Sequence, residues 1–163
     1  MLKKKNQPEK IRWTVETERA LHDLKESVKS DRCLYAPDQS KPYQLFTDAS
    51  FGAVAAWIGQ YDSSGCLRPI AFASKKLAGS QLNYSVIEKE LFAVIWSVQH
   101  FSQYLYANEV HLFSDHRPLQ WLHTLSHQSP RLARWSLLLQ DFHIVPHFIK
   151  GTYNIVADSL SRL

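Results

Sequence analysis

The stretch from Tyr43 to Gln60 constrains the fold more than any other part of the sequence. Its two apolar segments, separated by Phe51 and Gly52, predict two neighbouring strands joined by a tight turn. Asp48 lies near the end of the first segment, where a carboxylate beside apolar residues is costly unless a hydrogen bond or a cation stabilises it. Two explanations stay open from these residues alone. Asp48 begins the turn by bonding its own backbone, or it is held ionised for a metal ion.

Beyond this stretch, apolar residues recur with a period of two in some segments and with a helical period in others. Short turns between the first three strands indicate an antiparallel meander. The predicted elements are strands at about 43–48, 53–60, 66–73, 109–114 and 142–149, and helices at about 84–106, 119–125, 130–139 and 155–163. This order predicts an α/β fold in which helices cross over a mixed sheet.

The first 41 residues are interpreted as an N-terminal helix and a connector, separate from a domain at 42–163. Thr14 is the expected N-cap of this helix, which runs to about Ser30. With 163 residues and 45% apolar content, the chain is long enough for one well-buried domain. The abrupt start of the N-terminal segment suggests a piece cut from a longer polypeptide.

Charge and cysteine content exclude some classes of protein. The net charge of +4 permits a polyanionic partner without requiring one. Cys33 and Cys66 are far apart, which argues against a disulfide framework and a structural zinc site and fits a reducing compartment. No apolar run approaches the length of a membrane span. We therefore expect an intracellular protein that does not enter a membrane.

Three further carboxylates also lie at the edges of apolar elements. At about 100° per residue, Glu90 falls on the flank of the apolar stripe of its helix, whereas Glu88 falls toward solvent. Asp115 follows the fourth strand, and Asp158 lies in the last helix. Simpler explanations exist for each residue alone, since a helix dipole favours Glu90 and Asp158 and an N-cap would account for Asp115.

Taken together, the four acids suggest a metal centre. Crossover connections gather strand ends and helix starts at one edge of an open α/β sheet. Four carboxylates at one edge repel one another and do not all ionise unless a cation intervenes. Oxygen ligands without histidine or cysteine select Mg²⁺ or Mn²⁺. Two such ions about 3.5–4 Å apart suit in-line attack on a phosphodiester.

Basic residues offer candidate phosphate contacts. Arg131 and Arg134 are three residues apart and share one helix face, which suits a phosphate backbone. Lys75 and Lys76 follow the predicted third strand. Solvated surface charges are the alternative for all four. His147 lies in the predicted fifth strand, and no role is assigned to it, because a lone strand histidine is more often structural than catalytic.

Six sequence motifs in order resemble the ribonuclease H domain of gypsy-type LTR retrotransposon reverse transcriptases, and they span essentially all of 43–163. One motif alone would be weak, whereas six in the family's order are highly specific. The motifs are Phe46-Thr47-Asp48-Ala49-Ser50, Ile70-Ala71-Phe72-Ala73-Ser74-Lys75-Lys76-Leu77, Asn83-Tyr84-Ser85-Val86-Ile87-Glu88-Lys89-Glu90-Leu91-Phe92-Ala93, Phe113-Ser114-Asp115-His116-Arg117-Pro118-Leu119, Arg131-Leu132-Ala133-Arg134-Trp135 and Asn154-Ile155-Val156-Ala157-Asp158-Ser159-Leu160-Ser161-Arg162.

The resemblance implies a ribonuclease H-like fold. Its five-stranded mixed sheet would have three antiparallel strands followed by two parallel ones, with helices on both faces. It also implies two Mg²⁺ ions, replaceable by Mn²⁺, bound by four catalytic acids. Asp48, Glu90, Asp115 and Asp158 match these acids in that order. Lys75, Lys76, Arg131 and Arg134 are then candidate contacts to the nucleic acid.

The implied activity is endonucleolytic cleavage of the RNA strand in an RNA–DNA hybrid during reverse transcription. The implied partners are the hybrid and the polymerase domain of a parent polyprotein. A virus-like particle in the cytoplasm is the expected location for a domain of an active element, and the nucleus for a host gene derived from one. The alternatives are a catalytically silent, domesticated domain that binds nucleic acid or protein, and a structural connector domain.

Overall fold

The computed structural model describes residues 14–29, 34–116 and 130–162, and the structural statements below refer to these residues. They form two compact units, of which one contains a single helix, α1 (Val15–Lys29), and the other begins at Leu34. The hydroxyl of Thr14 accepts a hydrogen bond from the amide of Thr17 (3.3 Å) at the start of α1, as expected of an N-cap. The helix predicted at about 119–125 lies outside the described residues.

The second unit contains a five-stranded sheet and four helices among its described residues. Its elements are β1 (Tyr43–Ala49), β2 (Ala53–Tyr61), β3 (Leu67–Lys76), α2 (Val86–His100), α3 (Ser102–Leu105), β4 (Glu109–Ser114), α4 (Pro130–Leu139), β5 (His143–Phe148) and α5 (Ile155–Ser161). Single 3₁₀ turns at Gly79–Asn83 and Gly151–Tyr153 precede α2 and α5.

The strand order is β3-β2-β1-β4-β5. The first three strands pair antiparallel, whereas β4 pairs parallel with both β1 and β5. The five-stranded mixed sheet predicted from the sequence is therefore confirmed. Its parallel arrangement brings the carboxyl ends of β1 and β4 to the same edge of the sheet, as crossover connections require.

Two predicted element boundaries were wrong. The single helix predicted at about 84–106 is interrupted: α2 ends at His100, because the φ of −97° and ψ of 14° at Phe101 leave the helical region, and α3 follows as a separate turn. The third strand continues through Lys75 and Lys76, which pair with Val54 and Ala53. Apolar periodicity could not reveal this extension, because the side chains of both lysines are exposed.

The main core lies between one face of the sheet and α2. Leu45, Ile58 and Leu112 alternate with residues of the opposite face and are at most 1% exposed. They pack with an apolar stripe of α2 and the residues after it. This stripe consists of Leu91, Val94, Ile95, Val98, Phe101 and Leu105. The burial of α2 against β1 and β2 holds the first turns of that helix next to the carboxyl end of β1.

The opposite face of the sheet carries α5 and a row of aromatic rings. α5 packs on β1, β2 and β3. Beside it, neighbouring rings stack at centroid distances of 6.1, 4.4, 4.6 and 4.9 Å across all five strands. In strand order from β3 to β5, the members are Phe72, Trp57, Phe46, Phe113 and His147.

The segment before β1 is hydrogen-bonded to the sheet. The amide of Tyr35 donates to the carbonyl of Pro69 (2.7 Å), and the amide of Asp38 donates to Oε1 of Gln60 (2.9 Å). The domain boundary between residues 41 and 42 stays a prediction. In the part of the chain that the structure describes, no helix combines the length and apolarity needed to cross a membrane.

Candidate metal centre

Asp48 lies near the carboxyl end of β1, opposite Ala55 of β2, and is 5% exposed. Its Oδ2 accepts a hydrogen bond of 2.6 Å from the hydroxyl of Ser161 in α5. Burial is the main reason that the pKa of Asp48 is raised, and the Ser161 bond opposes this by stabilising the charged form. The negative charges of Asp115 and Asp158 raise the pKa further.

Glu90 reaches the same edge from α2. Ser85 and Glu88 form a capping box at the start of this helix: the amide of Ser85 donates to the Glu88 carboxylate (2.9 Å), and the Ser85 hydroxyl accepts from the amide of Glu88 (3.3 Å). Glu88 therefore stabilises the helix end, whereas Glu90, two residues later, is 6% exposed and faces the sheet. This agrees with the orientation predicted from helical phase.

The carboxyl group of Glu90 is the most perturbed acid of the site. Burial, followed by the negative charges of Asp48 and Asp115, raises its pKa to about 8, although a hydrogen bond from the Ala49 amide opposes the shift. Oε2 of Glu90 is buried and has no hydrogen-bond partner in the structure. A buried polar atom without a partner is uncommon and calls for an explanation such as a bound ion.

Asp115 directly follows β4 and is exposed. The loop after β5 passes closely over it: a Cβ added to Gly151 would lie only 2.9 Å from Oδ2 of Asp115. The carbonyl of Ser114 accepts a hydrogen bond from the amide of Ile149 (3.0 Å), which holds the same loop against the end of β4. A residue without a side chain at position 151 therefore lets the loop approach the carboxylate.

One carboxylate oxygen from each of Asp48, Glu90 and Asp115 lies within 4.8 Å of the others. The three donors are all oxygens, which matches the preference of Mg²⁺ and Mn²⁺. Burial raises the pKa values of Glu90 and Asp48 despite their hydrogen bonds, and Oε2 of Glu90 has no hydrogen-bond partner among the described residues. The residues therefore fit a divalent cation.

Asp158, the fourth predicted acid, is not part of this group. Its Oδ1 accepts hydrogen bonds from Nε (2.8 Å) and Nη2 (2.5 Å) of Arg162, which directly follows α5. Its charge still raises the pKa of Asp48, so the two carboxylates interact electrostatically. The structure thus brings three of the four predicted acids together and holds the fourth in an ion pair nearby.

Sequence analysis overlooked two residues of this centre. Ser161 bonds Asp48 across 113 positions of sequence, and Gly151 makes room for Asp115. Gly151 could have been noticed in the sequence, because a glycine in a loop permits the backbone to approach another group closely. The serine had none, because a hydroxyl in a short terminal helix has no distinguishing pattern.

The four predicted basic residues lie in two places. Lys75 and Lys76 are exposed at the end of β3, and Nζ of Lys75 lies 5.7 Å from the ring centroid of Phe92. Arg131 and Arg134, with Tyr84 and Trp135, line a cavity of about 360 Å³. Contacts with Glu88 and Tyr84 hold Arg131 in place. Its Nη1 lies 2.7 Å from Oε1 of Glu88, and its guanidinium lies 4.5 Å from the Tyr84 ring centroid.

Solved structures with a similar backbone define the class of fold. A foamy viral protease–reverse transcriptase in complex with double-stranded DNA has a TM-score of 0.59 at 22% identity, covering 86% of this chain and 30% of that chain. RNase H1 from the halophilic archaeon Halobacterium salinarum has a TM-score of 0.53 at 17% identity, covering 73% and 93%. The chain therefore has a ribonuclease H fold.

Sequence comparison then identifies the family. Residues 38–142 match the RNase H-like domain found in reverse transcriptase. The Pol polyprotein of Drosophila melanogaster transposon 297 is 40% identical over 144 residues, and the transposon Tf2-3 polyprotein of Schizosaccharomyces pombe is 36% identical over 156 residues. The chain belongs to this family, and its resemblance to LTR retrotransposon domains is confirmed. The alignments cover 88% and 93% of this chain but only 13% and 12% of those polyproteins.

Proposed function

We propose that this chain is an endoribonuclease that hydrolyses the RNA strand of RNA–DNA hybrids during reverse transcription. The observation that carries the proposal is the convergence of Asp48, Glu90 and Asp115, one oxygen of each within 4.8 Å of the others. A structural role does not account for this group, because two buried carboxylates beside a third destabilise a fold unless a cation compensates their charges. Metal-assisted cleavage of a phosphodiester does account for it.

Two bound Mg²⁺ ions, or Mn²⁺ in their place, would generate the hydroxide nucleophile and stabilise the leaving oxygen. Asp48, Glu90 and Asp115 would hold them. Asp158 would join as the fourth acid when its ion pair with Arg162 opens. Cleavage would leave a 3′-hydroxyl and a 5′-phosphate.

The substrate would be bound by its backbone and shape. Contacts to 2′-hydroxyl groups would distinguish the RNA strand from DNA. In the cavity beside α2, the Glu88 pairing and the Tyr84 ring orient Arg131, and Nε of Arg134 donates to the carbonyl of Pro130 (3.2 Å). We assign phosphate contacts to these two arginines and to the exposed Lys75 and Lys76. The polymerase domain of a parent polyprotein would deliver the hybrid, since the relatives are polyproteins.

The test is cleavage of an end-labelled RNA–DNA hybrid, resolved on a gel, with Mg²⁺, with Mn²⁺ and with a chelator. The wild-type chain is compared with Asp48→Asn and with Asp141→Asn, in which an exposed acid outside the centre is changed. We expect metal-dependent cleavage by the wild type and by Asp141→Asn, and none by Asp48→Asn. Absence of cleavage under every metal condition would contradict the proposal and favour a silent domain that only binds nucleic acid or protein.

A further inference from the structure

Two imidazole rings lie next to each other on the sheet face that carries α5, with centroids 5.1 Å apart. His111 of β4 pairs with Val145 of β5, and Phe113 pairs with His147, so the two histidines are diagonal neighbours on one face. Nδ1 of His111 lies 2.8 Å from Nε2 of His147. The two nitrogens share one proton in a hydrogen bond, and a metal ion bound by both would replace that proton, which would move to Nδ1 of His147.

The far side of the His111 ring is held by a carboxylate. Nε2 of His111 lies 2.9 Å from Oε1 of Glu109. A proton on this nitrogen, donated to Glu109, leaves the lone pair of Nδ1 directed at His147. Histidines that ligate metals commonly donate their other ring N–H to a carboxylate in this way, which fixes both the tautomer and the orientation of the ring.

The His147 ring is fixed by stacking and favours the neutral form. Its centroid lies 4.9 Å from that of Phe113, with 18° between the ring planes. Burial and the neighbouring His111 lower the pKa of His147. Because a histidine must be neutral to bind a metal, the lowered pKa favours the form of the ring that can bind one.

We propose that His111 and His147 form a binding site for one transition-metal ion such as Zn²⁺ or Cu²⁺, distinct from the carboxylate centre. Imidazole nitrogens favour these ions over Mg²⁺. Ligand nitrogens about 2.0–2.1 Å from a tetrahedral ion are about 3.4 Å apart. The 2.8 Å gap therefore has to widen by about 0.6 Å through side-chain rotation. The side chain of His111 is 26% exposed, which gives water access to the remaining coordination positions.

A bound ion would link β4 to β5 and stabilise that side of the sheet. A metal that binds only the folded state at ten times its dissociation constant raises the Tm of a chain of this size by about 3–6 °C. This effect does not depend on the proposed nuclease activity, because neither histidine belongs to the group of three acids.

The decisive variant is His147→Phe, which keeps an aromatic ring against Phe113 and removes the nitrogen ligand. Cu²⁺ is titrated into the full chain in excess Mg²⁺, and bound copper is followed by electron paramagnetic resonance, in which nitrogen ligands give a characteristic hyperfine pattern. We expect His147→Phe to bind one equivalent fewer than the wild type and to lose the Zn²⁺-dependent rise in Tm. Glu109→Gln should weaken binding about 10–100-fold, as loss of a carboxylate behind a ligand does.

His143→Phe is the matched control, because His143 is also in β5 but is 71% exposed and lies 3.8 Å from Glu109. It should bind as many equivalents as the wild type. If His147→Phe does not fold, His111→Gln serves in its place. Equal copper stoichiometry and equal Zn²⁺ stabilisation in the wild type and the His147 or His111 variant would overturn the proposal and leave a hydrogen bond between two imidazoles.

Discussion

Two buried polar side chains of the second unit differ in how completely their polar atoms are hydrogen-bonded. Gln60 in β2 is fully buried, and Glu90 in α2 is 6% exposed. The amide nitrogen of Gln60 donates to the carbonyls of Asp38 (2.8 Å) and Lys41 (2.9 Å), and its oxygen accepts from the Asp38 amide (2.9 Å). One oxygen of Glu90, by contrast, has no hydrogen-bond partner in the part of the chain that the structure describes.

The difference separates a structural role from a functional one. Gln60 ties the segment before β1 to the sheet, and its hydrogen bonds compensate for its burial. Glu90 is buried beside two other acids, and burial raises its pKa to about 8. A buried carboxyl group with so strongly raised a pKa is typical of a functional site, where a ligand such as a metal ion supplies the missing interaction. The contrast predicts that a substitution at Gln60 lowers stability without changing activity, whereas a substitution at Glu90 lowers activity and raises the stability of the metal-free protein.

The largest effect is expected for Glu90→Gln, which keeps the shape of the side chain and removes its charge. Cleavage of the hybrid should fall at least about a thousandfold, or about 4 kcal/mol in the barrier, because a metal ligand is lost. In metal-free buffer at pH 8.5 the variant should be more stable than the wild type, because the ionised glutamate is no longer buried. Single-turnover cleavage and urea denaturation measure the two quantities.

Glu88→Gln is the control for this substitution, since Glu88 lies on the same helix but caps its start. It should lose stability through the weakened capping box and bind the hybrid less tightly through the weakened Arg131 pairing, but retain its single-turnover rate at saturating hybrid, because no metal ligand is lost. A Glu90→Gln variant that cleaves like the wild type would remove Glu90 from the metal centre.

The stability of the metal-free protein should depend on pH through Glu90. Its pKa is about 8 in the folded chain, and the unperturbed value of 4.5 applies to the unfolded chain. Between these two pH values the folded state therefore binds more protons than the unfolded state. Stability from this group is therefore greatest at low pH and declines from about pH 5 to pH 8, with a slope of up to about 1.4 kcal/mol per pH unit. Urea denaturation across this range measures the slope.

Mg²⁺ and Glu90→Gln should each flatten this profile, because the ion compensates the charge and the substitution removes it. The raised pKa of Asp48 also makes the stability of the metal-free protein decline as the pH rises. A metal-free wild type whose stability rises steadily from pH 5 to pH 8 would contradict the burial of an uncompensated acid.

Gln60→Leu should lower stability, whereas Glu90→Gln should raise the stability of the metal-free protein. The leucine fills a similar volume but leaves the Asp38 amide and two carbonyls without their partner, which costs about 2 kcal/mol. Cleavage per folded molecule should not change, because Gln60 is not part of the acid group. Urea denaturation beside Gln140→Leu, where the glutamine is exposed, separates the lost hydrogen bonds from added hydrophobicity.

Predictability from sequence follows the range of the interactions involved. Strand periodicity and helical phase are local, so the five strands and the inward orientation of Glu90 could be predicted. The end of α2 at His100 could not be predicted, because the apolar stripe continues through Leu105. The same limit applied to β3, since its last two residues pair in the ladder with exposed side chains.

Within the site, the sequence predicts which types of residue are present better than it predicts which residues each of them contacts. Acids at element ends pointed to a metal, but Asp48 was ambiguous until Glu90 and Asp115 were placed beside it. The pairing of Asp158 with Arg162 joins residues four apart at the end of a helix, a spacing that can be recognised in the sequence. The contacts of Gln60 and Ser161 with distant segments depend on the completed fold, and nothing in their sequence surroundings distinguishes them.

The smallest effect is expected for Ser161→Ala, which removes the hydroxyl that donates to Asp48. Because this bond lowers the pKa of Asp48, its loss should raise that pKa further, as a ¹³C NMR titration of the carboxyl group would show. Loss of a group that orients a metal ligand costs about 10–100-fold in affinity or activity. We expect the lower end, about tenfold, because two other acids remain in place.

Ser161→Thr should restore the Asp48 pKa, since it retains a hydroxyl, and Ser159→Ala should have no effect, since Ser159 is exposed on the same helix. A purely structural role for Ser161 would lower stability in the alanine variant without changing the pKa of Asp48 or the Mg²⁺ concentration needed for cleavage. Parallel changes in pKa and Mg²⁺ requirement would instead show that the buried acid relies on both a partner from the chain and an ion from outside it. Gln60 needs only the former.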